Sequence, residues 1–231
     1  MLTAIIVAAG SSQRMGFDKL SQPLAGKPVL AHSIDAFEQT PAVSEIILIV
    51  RQAQLSAHEN MIRAQKFSKV RRIVPGGDRR QDSVRAGLAA MRSEAEFVAV
   101  HDAARPLVRP KQIDQVFAVC REHGAAALAE PVRDTLKRVS KEGFIHDSIA
   151  REQMYALQTP QIFARELLKR AYDAVFEQSV TVTDETSALH HIGQKVAIVS
   201  NDDFNFKITF PNDLALAEFV LAQRARENRV R

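Results

Sequence analysis

Short unbroken apolar runs alternate along this chain with stretches in which apolar residues recur every three to four positions. The runs Leu2–Val7, Glu45–Val50, Val70–Val74, Phe97–Val100, Ala125–Ala129 and Lys195–Val199 predict short strands, several of them apolar enough to be covered on both faces. Helical spacing predicts helices over Pro28–Phe37, Gln54–Gln65, Val84–Met91, Pro110–His123, Ala164–Phe176, Thr186–His191 and Pro211–Arg226. Pro28 and Pro211 suit first turns, where a missing N–H costs nothing. Strands alternating with helices point to an α/β fold: a Rossmann-like, mostly parallel sheet with helices on both faces.

Residues 131–158 break that rhythm. Thr135–Val139 and Gly143–Ile145 read as the two sides of a hairpin, with Lys141-Glu142-Gly143 at its tip. So small a hairpin cannot bury its own apolar face. It is expected to leave the main sheet as a β-arm of a single domain spanning 1–231 and to pack on something else, which points to a homodimer. Thr159-Pro160-Gln161 is expected to lead straight into the next helix. On the last helix Leu216, Phe219, Val220 and Gln223 mark the face expected against the sheet.

Composition narrows the partners. A net charge of +4, from 31 Lys and Arg against 27 Asp and Glu, is too mild and too evenly spread to argue for nucleic acid; local basic pockets for phosphates fit better. A lone cysteine excludes an internal disulfide and a Cys-based zinc site, and Cys120 sits in a helical pattern with Ile113, Val116 and Phe117, as a buried thiol would. Met1 runs into the first strand without a basic leader, and no apolar run approaches the ~20 residues a bilayer requires. A cytoplasmic protein without a membrane partner is expected.

The candidate chemistry lies where strands end. After the first strand, Ala8, Ala9, Gly10, Ser11 and Ser12 are small enough to bring backbone N–H groups close to a ligand, and Arg14 and Lys19 suit a polyphosphate. The spacing is neither a Walker A motif nor a dinucleotide fingerprint. It suggests a nucleoside triphosphate site at the strand's carboxyl end; the alternative is an ordinary turn with solvated cations. Gly76 and Gly77 follow the third strand, with Ser83 at the start of a helix as a cap or a ligand group. Asp102 follows the fourth strand, placed to help hold Mg²⁺ or a substrate hydroxyl, or merely to pair with Arg105. His101 reads as structural. Lys207, framed by Phe206 and Ile208, is expected to emerge from the sheet edge into the cleft, the alternative being a snorkelling surface lysine. His190 and His191 point different ways on a helix and lack metal-ligand spacing.

The stretch Ala8–Lys19 resembles the signature A-A-G-x-G-x-R-M-G…K of sugar-nucleotide nucleotidyltransferases, with Ser12 where the second glycine usually stands. Val100–Pro106, Pro131–Thr135 and Asn205–Thr209 resemble one branch, the 2-C-methyl-D-erythritol 4-phosphate cytidylyltransferases of the non-mevalonate isoprenoid pathway, and the likeness runs through essentially the whole chain. The resemblance implies transfer of a cytidylyl group from CTP to a sugar-alcohol phosphate. It implies that Arg14 and Lys19 stabilise the transition state, that Arg151 and Lys207 position the acceptor phosphate, and that Gly77, Asp78 and Ser83 lie at the cytosine. Thr135 and Thr159 would add hydroxyl donors, Asp102 and Arg105 would bind acceptor hydroxyls or support the cleft, and Mg²⁺ would bridge the CTP phosphates. It also implies that the arm embraces a second subunit and carries substrate residues across, and that no room is left for the cyclase domain of fused members. Two rivals are a D-ribitol 5-phosphate cytidylyltransferase and a non-catalytic nucleotide-binding regulator; the four cations Arg14, Lys19, Arg151 and Lys207 argue against the second.

Overall fold

The computed structural model describes residues 1–10, 15–92 and 94–230, and the side chains of all of these but 228–230. In chain order come β1 (Leu2–Ala8), the short pair β2 (Pro23–Leu24) and β3 (Lys27–Pro28), α1 (Val29–Gln39) and β4 (Val43–Val50). Then follow α2 (Leu55–Gln65), β5 (Val70–Pro75), α3 (Arg80–Ala90), β6 (Phe97–Asp102), α4 (Pro110–His123) and β7 (Ala125–Pro131). The remainder comprises β8 (Leu136–Val139), β9 (Ile145–Ile149), β10 (Tyr155–Ala164), α5 (Arg165–Glu177), α6 (Glu185–His191), β11 (Ala197–Ser200) and α7 (Asn212–Val230).

Seven strands form the main sheet in the order β11-β7-β10-β6-β1-β4-β5. The sheet is mostly parallel, as the alternation predicts: β1 pairs in parallel with β4 and β6, β4 with β5, and β7 with β11. The exception is β10, antiparallel to both β6 and β7. The residues expected to lead directly into a helix are this strand. Pro160 and the glutamines Gln158 and Gln161 interrupt the apolar pattern there, and the ladder to β7 shifts register between Leu157 and Gln161. The Thr159–Pro160 peptide is cis.

Because successive strand residues face opposite sides, neighbours in β1 and β4 feed two separate cores. Ile6 and Leu48 pack in one with Ile34 and Phe37 of α1 and Ile113, Val116 and Cys120 of α4. Ile5 and Ile47 pack in the other with Val84 of α3 and Leu168 and Val175 of α5. Each such fully buried aliphatic side chain stabilises the fold by about 1.5–3 kcal/mol. Helix α3 lies close on β1 because residue 87 is glycine; a Cβ there would stand 2.8 Å from Ile5 Cγ2. Burial pushes the Cys120 thiol up to about 12, so it behaves as the expected inert core group.

Three expectations about elements are corrected. Helix α3 starts at Arg80 rather than Val84, because the Asp82 carboxylate accepts the Arg79 backbone N–H at 3.0 Å and caps a polar first turn that shows no apolar period. Helix α7 is rotated by about one residue's step of 100°: Ala217 and Val220 are buried, while Leu216 and Phe219 are 46% and 60% exposed. Arg224 fixes that rotation by donating to the Leu107 and Phe204 carbonyls and to Asp203. Finally, Lys207 reaches the cleft as expected, but from an irregular segment rather than from a sheet edge, and Ile208 N donates to the Ala104 carbonyl at 2.8 Å.

The hairpin forms with other bounds than expected: its second side is Ile145–Ile149 rather than Gly143–Ile145, and Pro131 and Tyr155–Gln158 belong to β7 and β10 of the main sheet. β8 and β9 pair antiparallel as a separate two-stranded ribbon, closed by Ser140 N donating to the Phe144 carbonyl, with Gly143 at φ +90° where glycine is favoured. Among the described residues no helix is long and apolar enough to cross a membrane.

Candidate active site

A cavity of about 420 Å³ opens at the carboxyl ends of β1 and β6, the position at which open α/β sheets receive ligands. Ala8, Ala9 and Gly10 reach it from β1, Gly77, Asp78 and Ser83 from the β5–α3 turn, Asp102 from the end of β6, and Lys19 and Lys207 from loops above the sheet. The two glycine-bearing turns meet because residue 76 lacks a side chain. A Cβ at Gly76 would stand 2.5 Å from Ala9 Cβ and 2.7 Å from Ser83 Oγ. Ser83 is buried within the first turns of α3, its hydroxyl near the Gly77 and Arg79 carbonyls.

The charged groups form a connected set. Lys207 Nζ donates to Asp102 Oδ2 at 2.7 Å, and Arg80 Nε donates to Asp102 Oδ1 at 3.1 Å. The other two guanidinium nitrogens of Arg80 bind Glu185 Oε1 and Oε2 at 2.7 and 3.0 Å, and Tyr172 Oη donates to Glu185 Oε1 at 2.9 Å. Burial alone would raise the Asp102 carboxyl, but Arg80 and Lys207 outweigh it and hold Asp102 well below the usual carboxylate range. Burial likewise opposes charge on Arg80, yet Glu185 and Asp102 raise its pKa far above the ordinary value. Within this set two cations and two carboxylates cancel, and Lys19, Asp78 and Arg79 also line the cavity. Lys19 Nζ donates to the Ile208 carbonyl at 2.6 Å, binding the first loop to the segment that carries Lys207.

Behind Asp102 runs a wire of fixed polarity. His101 Nε2 lies 3.2 Å from the Arg105 carbonyl, which can only accept, so that nitrogen carries the proton and Nδ1 accepts. The Thr159 hydroxyl therefore donates to His101 Nδ1 at 3.0 Å, and its oxygen accepts the Asp102 backbone N–H at 3.0 Å. Burial pushes His101 down to about 3, keeping it neutral and structural, as expected. Thr159, expected to offer a hydroxyl donor, commits its proton to His101 and orients Asp102. Arg105, the alternative partner of Asp102, is also corrected. Its guanidinium donates to the Asn205 and Leu157 carbonyls at 2.8 and 3.4 Å, because Arg80 and Lys207 already occupy both carboxylate oxygens. Asn205 in turn donates to Gln158 Oε1 and the Thr159 carbonyl, so the Lys207 segment is tied to β10 from both sides.

Of the residues singled out in the sequence, Ala8, Ala9, Gly10, Lys19, Gly77, Asp78, Ser83, Asp102 and Lys207 converge on this cavity. Thr159 and Arg105 stand behind it. Ser11 and Arg14 lie outside the described residues. Thr135 and Arg151 sit exposed on the arm, Arg151 bonded to the Arg133 carbonyl, and neither lines the cavity. Sequence reasoning missed Arg80, Tyr172 and Glu185. Arg80 lies three positions after the paired glycines and was within reach of a motif reading. Glu185 reads as one more carboxylate at a helix start, a role that Asp184 fills instead by accepting Ser187 N at 2.9 Å.

A mostly parallel sheet that presents small-residue turns and lysines at the carboxyl ends of its strands is the architecture of a nucleotidyltransferase. Comparison with known proteins narrows the class: residues 2–223 match the family 2-C-methyl-D-erythritol 4-phosphate cytidylyltransferase. The chain belongs to that family. The cytidylyltransferase of this name from Desulforamulus reducens is 39% identical over 226 residues, covering 96% of this chain and 97% of that one. The one from Dehalococcoides mccartyi (strain 195) is 40% identical, covering 94% and 95%. The crystal structure of 4-diphosphocytidyl-2C-methyl-D-erythritol synthase from Anaerococcus prevotii superposes with a TM-score of 0.84 at 27% identity, covering 96% of each chain.

Proposed function

We propose that this chain transfers the cytidylyl group of CTP to 2-C-methyl-D-erythritol 4-phosphate, giving 4-diphosphocytidyl-2-C-methyl-D-erythritol and pyrophosphate. The observation that carries the reading is the convergence of Lys19, Asp102 and Lys207 on one cavity, in a chain of this family. An oxygen of the acceptor phosphate attacks the α-phosphorus of CTP in line; the new P–O bond forms as the bond to the β-phosphate oxygen breaks, and pyrophosphate leaves with the electron pair. Such a transfer needs positioning and charge stabilisation rather than a covalent nucleophile. Lys19 and Arg14 stabilise charge on the phosphoryl oxygens, while the backbone of Ala8, Ala9, Gly10 and Ser11 approaches the triphosphate. Gly77, Asp78 and Ser83 receive the cytosine, and Asp102 receives an acceptor hydroxyl while Lys207 and Arg151 hold the acceptor phosphate.

Magnesium fits a site of this composition if the nucleotide supplies most of its ligands, because Asp102, the carboxylate at the end of β6, already has Arg80 and Lys207 on its two oxygens. Held mainly by the nucleotide beside Asp102, Mg²⁺ would offset the negative charge of the CTP phosphates. The working unit is a homodimer in which the arm of a second copy brings its Thr135 and Arg151 to this cavity. Supporting this, Val139, Phe144 and Ile145 at the arm's end are 53%, 75% and 69% exposed. The cytoplasm, where CTP is held, is the compartment that suits the reaction.

Pyrophosphate release from CTP and Mg²⁺, with methylerythritol 4-phosphate and D-ribitol 5-phosphate in parallel, tests the reading. Turnover with the first is expected. Turnover with ribitol phosphate alone would keep the mechanism and change the substrate; silence with both would favour a regulator.

A further inference from the structure

Glu185 is fully buried in the first turn of α6, where a carboxylate ordinarily faces water. Both its oxygens are taken by Arg80, and Tyr172 of α5 adds a third hydrogen bond from behind. Neither Glu185 nor Tyr172 lines the nucleotide-sized cavity. Their link to it is Arg80, whose planar fork is locked on Glu185 while its remaining nitrogen holds Asp102 Oδ1. Arg80 cannot turn away without leaving a buried carboxylate unpaired, an arrangement that is strongly penalised. Asp102 is thereby fixed through one oxygen, and its other oxygen binds the ammonium of Lys207.

We infer that Glu185 and Tyr172 are positioning residues for the acceptor. By locking Arg80 they aim Asp102 Oδ2 into the cavity, where an acceptor hydroxyl replaces Lys207 and releases its ammonium to the acceptor phosphate. The inference deepens the proposed function and rests on it. It predicts a one-sided kinetic effect, because the hydrogen bonds that run from Glu185 through Arg80 end on Asp102, assigned to the acceptor, whereas Lys19, assigned to the triphosphate, is bonded instead to the Ile208 carbonyl.

The test is steady-state kinetics of Glu185→Gln and Tyr172→Phe, with CTP and methylerythritol phosphate varied separately and melting temperatures recorded. Glu185→Gln should raise KM for the acceptor by about tenfold or more and leave KM for CTP within about twofold; Tyr172→Phe should raise the same KM by about threefold. Equal rises in both KM values, or a lowered melting temperature with unchanged kinetics, would overturn the inference. If Glu185→Gln fails to fold, the split in Tyr172→Phe decides alone. Wild-type turnover with ribitol phosphate instead would overturn only the substrate assignment, the split then being read with that acceptor. Wild-type silence with both overturns both.

Discussion

Around the cavity, Lys207, Asp102, Arg80 and Glu185 hold one another at 2.7–3.1 Å on elements whose apolar faces are buried in two cores. Along the arm, β8 and β9 pair, among the described residues, only with each other, and Phe144 and Ile145 stand 75% and 69% exposed. The charged network closes within a single chain; the ribbon leaves large apolar side chains exposed. A two-stranded ribbon is marginal alone, so the arm gains a defined position only from what it packs on. Thr135 and Arg151 flank that ribbon, away from the other proposed site residues, and the second copy proposed above would bring them to a cavity.

The sharpest way to break the contrast is Lys207→Ala. It should lower turnover by at least about a hundredfold while the circular-dichroism spectrum stays folded, since removing one charge-stabilising donor costs about 10²–10³ in rate; a lost spectrum would make Lys207 a structural residue. Arg151→Met should be comparably inactive, yet mixing it with Lys207→Ala and allowing subunit exchange should restore about a quarter of wild-type activity, because half the dimers are mixed and each contains one intact site. No recovery in a sample shown by sedimentation to be mixed would place Arg151 in its own chain's site.

Gly76→Ala probes the cavity side. The added methyl forces apart Ala9 and Ser83 and should cost about 1–3 kcal/mol of stability, with weaker CTP binding by calorimetry. A further test concerns pH. His101 is held down to about 3 by burial, against an ordinary value of about 6.5. Its contribution to stability is therefore complete above about pH 6.5 and is lost on acidification at up to about 1.4 kcal/mol per pH unit. Denaturant melts of His101→Asn should show a flatter dependence between pH 6.5 and 4. His32 and His58, lowered by burial too, leave a residual slope.

Much of the architecture was legible because the apolar runs of β1, β4 and β6 and the helical periods of α1 and α4 carry their burial in local pattern. The two turns that frame the cavity were legible for a related reason: glycine and alanine are required wherever backbones approach one another or a ligand. β10 escaped notice because proline and glutamine hide a strand whose pairing comes from both neighbours, and the face of α7 was misread because Arg224, not apolar periodicity, sets its rotation.

What the sequence by itself determined was the alternation of elements, the places where strands end in small residues, and the residue types available there. Which of those residues meet was decided only in three dimensions. Asp102 could have paired with Arg105 three positions away, yet it pairs with Arg80 and Lys207. Glu185 lies 105 residues from its guanidinium partner. Charge pairing acts through distance in space, and the sheet order that sets those distances depends on packing across the whole chain rather than on any local spacing.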